Sequence, residues 1–232
     1  MGETVQLTTT DGKQISAYVA HPSIDPARAT QNAAGLVIVQ EIFGVNPHIR
    51  SVTDRFASDG YLAIAPAFFD RLKPGVEMGY EGQDIAAGRE LAMAVTPEQI
   101  LADLNAGVSW LRAAGCTKVG VVGFCFGGTV AWRASYSSPI DAAVGYYGGG
   151  VYAQRESRPH VPVMLHFGDK DPWIPLDQVR EVSKLYPELP IHIYPADHGF
   201  HCDARSSYDA EAARLAYSRT LAFLAEHLKA AC

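Results

Sequence analysis

Six short stretches of this chain are apolar, interrupted only by His166 and His192: residues 35–39, 61–65, 119–122, 142–146, 163–167 and 191–194. A strand with one face in water alternates apolar and polar residues, so runs of this kind belong to strands covered on both faces. Between them apolar residues recur at spacings of three and four, as in Ile49, Val52 and Phe56, in Ile100, Leu104, Val108 and Leu111, and in Tyr217, Leu221, Leu224 and Leu228. That spacing is the buried stripe of an amphipathic helix. Strand and helix alternating along the chain predict an α/β fold: a mainly parallel central sheet, helices on both faces, and ligands beyond the carboxyl ends of the strands. At the amino end, residues 5–10 and 14–20 flank Asp11-Gly12, a hairpin signal, and read as antiparallel edge strands. A loop rich in Pro, Ala and Asn follows over 21–34.

A length of 232 residues fills one such domain, 1–232, and is short for two. The stretch 66–95 is too long for an ordinary connection and is expected to form a lid or a pocket wall. No apolar segment is long enough to cross a bilayer, and the first residues lack the basic and apolar parts of a signal peptide. The expectation is a cytoplasmic monomer with no membrane partner. A formal charge of −6 and the scattered Lys and Arg make a nucleic-acid partner unexpected. Four cysteines, Cys116, Cys125, Cys202 and Cys232, form neither a C-x-x-C pair nor an array with the histidines, so no metal site is expected.

One cysteine has a chemical address. Gly123-Phe124-Cys125-Phe126-Gly127-Gly128 stands directly behind the run at 119–122, and the G-x-S-x-G elbow of α/β-hydrolases is a sharp strand-to-helix bend of this kind that exposes a nucleophile. Here the serine is a cysteine. Cys116 reads as a packing residue before a strand, Cys232 as a terminal residue, and Cys202 sits near a candidate histidine with no motif that requires a thiol.

A thiol nucleophile needs a base, and the base an orienting acid, both on loops after later strands. Gly168-Asp169-Lys170-Asp171-Pro172 follows the run at 163–167, and Ala196-Asp197-His198-Gly199-Phe200 follows the run at 191–194. Each part alone has a plainer reading, as a structural turn, a loop aspartate or a surface histidine. Their order, Cys125, then acid, then His198, is that of the α/β-hydrolases. Asp171 is favoured as the acid, with Asp169 as the alternative.

With Gln40-Glu41-Ile42-Phe43-Gly44-Val45-Asn46, Ala143-Val144-Gly145-Tyr146-Tyr147-Gly148 and His198-Gly199-Phe200, the elbow resembles the motifs of the dienelactone hydrolases, or carboxymethylenebutenolidases, from the first hairpin to the last helix. The resemblance implies the α/β-hydrolase fold and hydrolysis of a dienelactone, 4-carboxymethylenebut-2-en-4-olide, to maleylacetate through a thioester, with no metal or organic cofactor. It implies that Glu41 contacts the resting thiol and draws off its proton when an anionic substrate displaces it, which shields the thiol from oxidation meanwhile. It also implies an oxyanion hole from the Ile42 and Phe126 amides. The substrate carboxylate calls for a planar cation; Arg89 and Arg205 fall where the family places its arginines, Arg205 set farther from His198 by His201-Cys202-Asp203-Ala204 than in the best-studied members. Tyr147 is a candidate for the pocket lining. The competing readings are a carboxylesterase or lactonase for another small ester, a binding protein that has kept the fold without turnover, and a redox sensor pairing Cys125 with Cys202.

Overall fold

The computed structural model of the protein describes residues 2–22 and 34–228. Strands β1 (Glu3–Thr8) and β2 (Gln14–Ala20) pair antiparallel, Glu3 opposite Val19 and Thr8 opposite Gln14. Their turn closes when the Thr9 amide donates to the Lys13 carbonyl, so β1 ends at Thr8 rather than at Thr10. The expectation of two edge strands is corrected: β2 also pairs antiparallel with β4 (Leu62–Pro66), and within the hairpin only β1 borders the sheet.

The remaining strands are β3 (Gly35–Val39), β5 (Val119–Phe124), β6 (Ala142–Tyr146), β7 (Val163–Gly168) and β8 (Ile191–Tyr194). The order is β1-β2-β4-β3-β5-β6-β7-β8, parallel from β4 onward. Strands β3 to β7 are buried at every position, which is why their sequences do not alternate. The expectation that the run at 191–194 is covered on both faces is corrected: β8 is the far edge of the sheet, and Ile193 there is 42% exposed.

Helix α1 (Pro47–Ser58) lies on β4, α3 (Pro97–Ala113) on β3 and β4, and α4 (Phe126–Ser137) on β5 and β6. α3 touches α4, whereas α1 meets α6 (Ala210–Leu228) through Phe56 and Tyr217, ring centroids 5.1 Å apart, so helices cover both faces. Of the expected stripe of α6, Leu224 and Leu228 are buried, whereas Tyr217 and Leu221 are half-buried, and Ala212, Ala213, Ala216, Thr220 and Phe223 complete the inward face. Small side chains let that helix sit close to the sheet. Two further helices, α2 (Gly82–Ala94) and α5 (Leu176–Leu185), carry too few buried apolar residues to reveal themselves by period. No helix among the described residues is long and apolar enough to cross a membrane. Residues 23–33 of the loop at 21–34, and Cys232, lie outside the described residues.

This order positions a site. The chain leaves β3 for β4 on one side, and the later strands build outward from β3 on the other, so the loops after β3 and β5 part at their carboxyl ends. Such a switch point leaves a crevice for ligands. In register, Val39 faces Gly123, which brings residues 41–42 beside residues 125–126.

Candidate active site

Strand β5 runs into α4 with no room for a side chain at the crossing: a Cβ on Gly123 would lie 1.9 Å from the Gly127 carbonyl oxygen. Cys125 at the bend has φ 54° and ψ −111°, a conformation that L-residues rarely adopt and that persists only when its surroundings impose it. Its amide donates to the Tyr146 carbonyl (3.0 Å), and the Gly127 amide donates to the Gln40 carbonyl (3.1 Å). The half-buried sulfur thus sits at the amino end of α4, where unpaired N–H groups and the helix dipole favour negative charge.

His198, in the loop after β8, places Nε2 3.1 Å from the Cys125 sulfur and Nδ1 2.7 Å from Oδ2 of Asp171. The Trp173 and Ile174 amides donate to the other Asp171 oxygen at 2.8 and 3.2 Å. Asp171 is therefore the acid on the histidine, its carboxylate aimed by the backbone of its own loop. Asp169 is exposed, and among the described residues its amide alone is tied down, to the Tyr194 carbonyl.

Burial alone would push the His198 imidazole down, but hydrogen bonds to Asp171 and Cys125, followed by their charges, carry it up to about 10. Burial pushes Cys116 up to about 11 and Cys202 up to about 12, so both remain thiols at neutral pH.

Glu41 departs from expectation. Its carboxylate is buried at the carboxyl end of β3, where Oε1 accepts from Arg205 Nη1 at 3.4 Å and Oε2 has no partner among the described residues. The thiol is engaged by His198 and not by Glu41, because the nearby guanidinium offers the carboxylate an opposite charge and the imidazole offers the sulfur a nitrogen. Burial pushes Tyr80, Tyr147 and Cys202 toward their neutral forms by raising the pKa of each, and the neighbouring Glu41 carboxylate raises it further. The neighbouring residues of its motif have separate duties. Gln40 accepts from the Phe68 amide at 3.2 Å, and Asn46 caps α1 by accepting from the Ile49 amide at 3.2 Å.

A cavity of about 270 Å³ opens above the sulfur, lined by Ile42, Phe126, Arg89, Arg205, Trp173 and His198 among others. Among the described residues the Ile42 and Phe126 amides donate to no acceptor, so both are free at the cavity edge. Arg205 reaches the cavity despite its distance along the chain, because the loop after His198 turns back on itself through the Arg205 amide and the Cys202 carbonyl. Arg89 lies on α2, which comes so close that a Cβ on Gly88 would stand 2.3 Å from the Ile42 carbonyl oxygen. The long connection is thus a pocket wall. Tyr147 does not line the cavity: it is fully buried, with φ 38° and its ring 5.1 Å from that of His198, and it packs beneath the histidine. Trp173 and Tyr80 were not foreseen; the first could have been noticed as an aromatic residue two positions after the acid. A larger hollow, about 730 Å³, lies at the amino ends of β7 and β8, away from this constellation.

The sequence model of the dienelactone hydrolase family matches residues 15–228. A Synechocystis protein assigned as a carboxymethylenebutenolidase is 35% identical over 93% of each chain, and the carboxymethylenebutenolidase of Pseudomonas putida is 33% identical over 96% of each. A solved Klebsiella pneumoniae structure assigned as a dienelactone hydrolase superposes with a TM-score of 0.81 at 29% identity, covering 98% of this chain and all of that one.

Proposed function

We propose that this chain, which belongs to the dienelactone hydrolase family, opens the lactone ring of 4-carboxymethylenebut-2-en-4-olide with a Cys125 thiolate. The family is one of ester hydrolases, and the finer assignment is carried by one observation: a hydrogen-bonded Cys125, His198 and Asp171 chain under a small cavity with two arginines on its walls. Thiolate attack on the lactone carbonyl forms a C–S bond, and collapse breaks the ring C–O bond and releases an enolate. Thiolate is itself a good leaving group, so it suits an ester whose other leaving group is this stable and would suit an amide poorly. The proton drawn from the thiol passes to the enolate, which becomes the ketone; water activated by His198 then hydrolyses the thioester, its proton returning to the sulfur, which regenerates the thiol and gives maleylacetate. The free Ile42 and Phe126 amides are proposed to receive the oxyanion.

Arg205 and Arg89 are proposed to bind the substrate carboxylate. A carboxylate arriving at Arg205 competes with Glu41 for the guanidinium, and the 3.4 Å separation makes that partner replaceable. Glu41, once displaced, is the group that the family resemblance assigns to removing the thiol proton. A cytoplasmic setting fits a mechanism that needs a reduced thiol.

The pairing of Arg205 with Glu41 also favours a second reading, an esterase for small neutral esters, because that cation is already satisfied without substrate. One comparison separates the two. Purified protein should consume dienelactone, followed by loss of its ultraviolet absorbance, with kcat/KM at least about tenfold above that for an uncharged lactone of similar size. Equal turnover of both would favour the neutral-ester reading.

A further inference from the structure

Arg89 is exposed on α2 at the cavity mouth, and among the described residues no carboxylate pairs with it. The contact it makes is with Trp173, whose ring centroid lies 4.4 Å from the guanidinium carbon. Trp173 comes from a different wall, the loop between β7 and α5, and is 61% exposed. An arginine stacked over an aromatic ring uses its face, which leaves the in-plane N–H edges free for a carboxylate. Without the ring, a long side chain on a helix that buries only Gly88 would sample many rotamers, and ordering it would weaken binding.

We propose that Trp173 is a positioning residue that sets substrate specificity, its indole holding Arg89 across the cavity mouth so that a carboxylate remote from the scissile carbonyl is recognised. This rests on the reading above, in which Arg89 receives the substrate carboxylate. The same residue also donates its amide to Asp171 (2.8 Å), a backbone bond that substitution of the indole leaves available.

The test compares kcat/KM for dienelactone with that for its methyl ester, which differs in charge. Trp173→Ala should lower this ratio about fivefold, the loss falling in KM for dienelactone rather than in kcat, and Trp173→Phe should recover most of it. In an Arg89→Ala background, Trp173→Ala should have no further effect on the ratio. If Arg89→Ala lowers the ratio and Trp173→Ala does not, Trp173 has no positioning role. A ratio unmoved by Arg89→Ala overturns the reading of Arg89 itself, and this inference with it.

Discussion

Replacing Cys125 by alanine should lower kcat for dienelactone by about four orders of magnitude while the protein stays folded. The size follows from what is lost. Without the sulfur, His198 has no nucleophile to pair with, and only the amides and the cavity remain to act on a water molecule that nothing positions. The fold should survive because the side chain is half-exposed at the bend, and the strained backbone is held by bonds from the Cys125 and Gly127 amides that alanine keeps. Circular dichroism and thermal unfolding beside the activity assay separate the two effects. Normal turnover by the alanine variant would remove Cys125 from the mechanism.

Asp171→Asn should lower kcat by about three to four orders of magnitude, whereas Asp169→Asn should stay within about twofold of wild type. The Trp173 and Ile174 amides fix Oδ1 of Asp171, so a substituted amide would keep its oxygen there and turn its NH₂ toward Nδ1 of His198. Nδ1 would then have to accept, and the proton would move to Nε2, which must take a proton from the water that hydrolyses the thioester. The histidine would keep its place and lose its tautomer. Equal losses from the two asparagine variants would mean that the loop's integrity matters more than the carboxylate on the histidine.

How much of this was legible in the sequence depends on where each signal is stored. Strands β3 to β7 could be read because burial on both faces leaves a local mark, an apolar run broken only by His166. Helix α2 could not, since it buries only Gly88 and serves as a wall instead of a core element. The nucleophile and the histidine follow strands directly, so their order announced them. The choice between Asp169 and Asp171 turns on which side chain the loop aims inward, and that is decided by two backbone amides outside any motif. Glu41 and Arg205 meet across 164 positions in sequence, so their pairing, and with it the release of the thiol to His198, is a property of the folded site. Tyr147 stands at the end of its strand as a pocket residue would, yet its ring turns under His198.

The central claim is that ester hydrolysis passes through a thioester on Cys125. Acid-quenching the enzyme during turnover of 4-nitrophenyl acetate, followed by peptide mass spectrometry, tests it most directly. The expected result is one acetyl group on Cys125, appearing as fast as the first 4-nitrophenolate is released and accumulating further in His198→Gln after acylation is forced with excess ester. Steady turnover with no acyl group on Cys125 at any quench time, or an acyl group on another residue that forms and decays at the turnover rate, would contradict it.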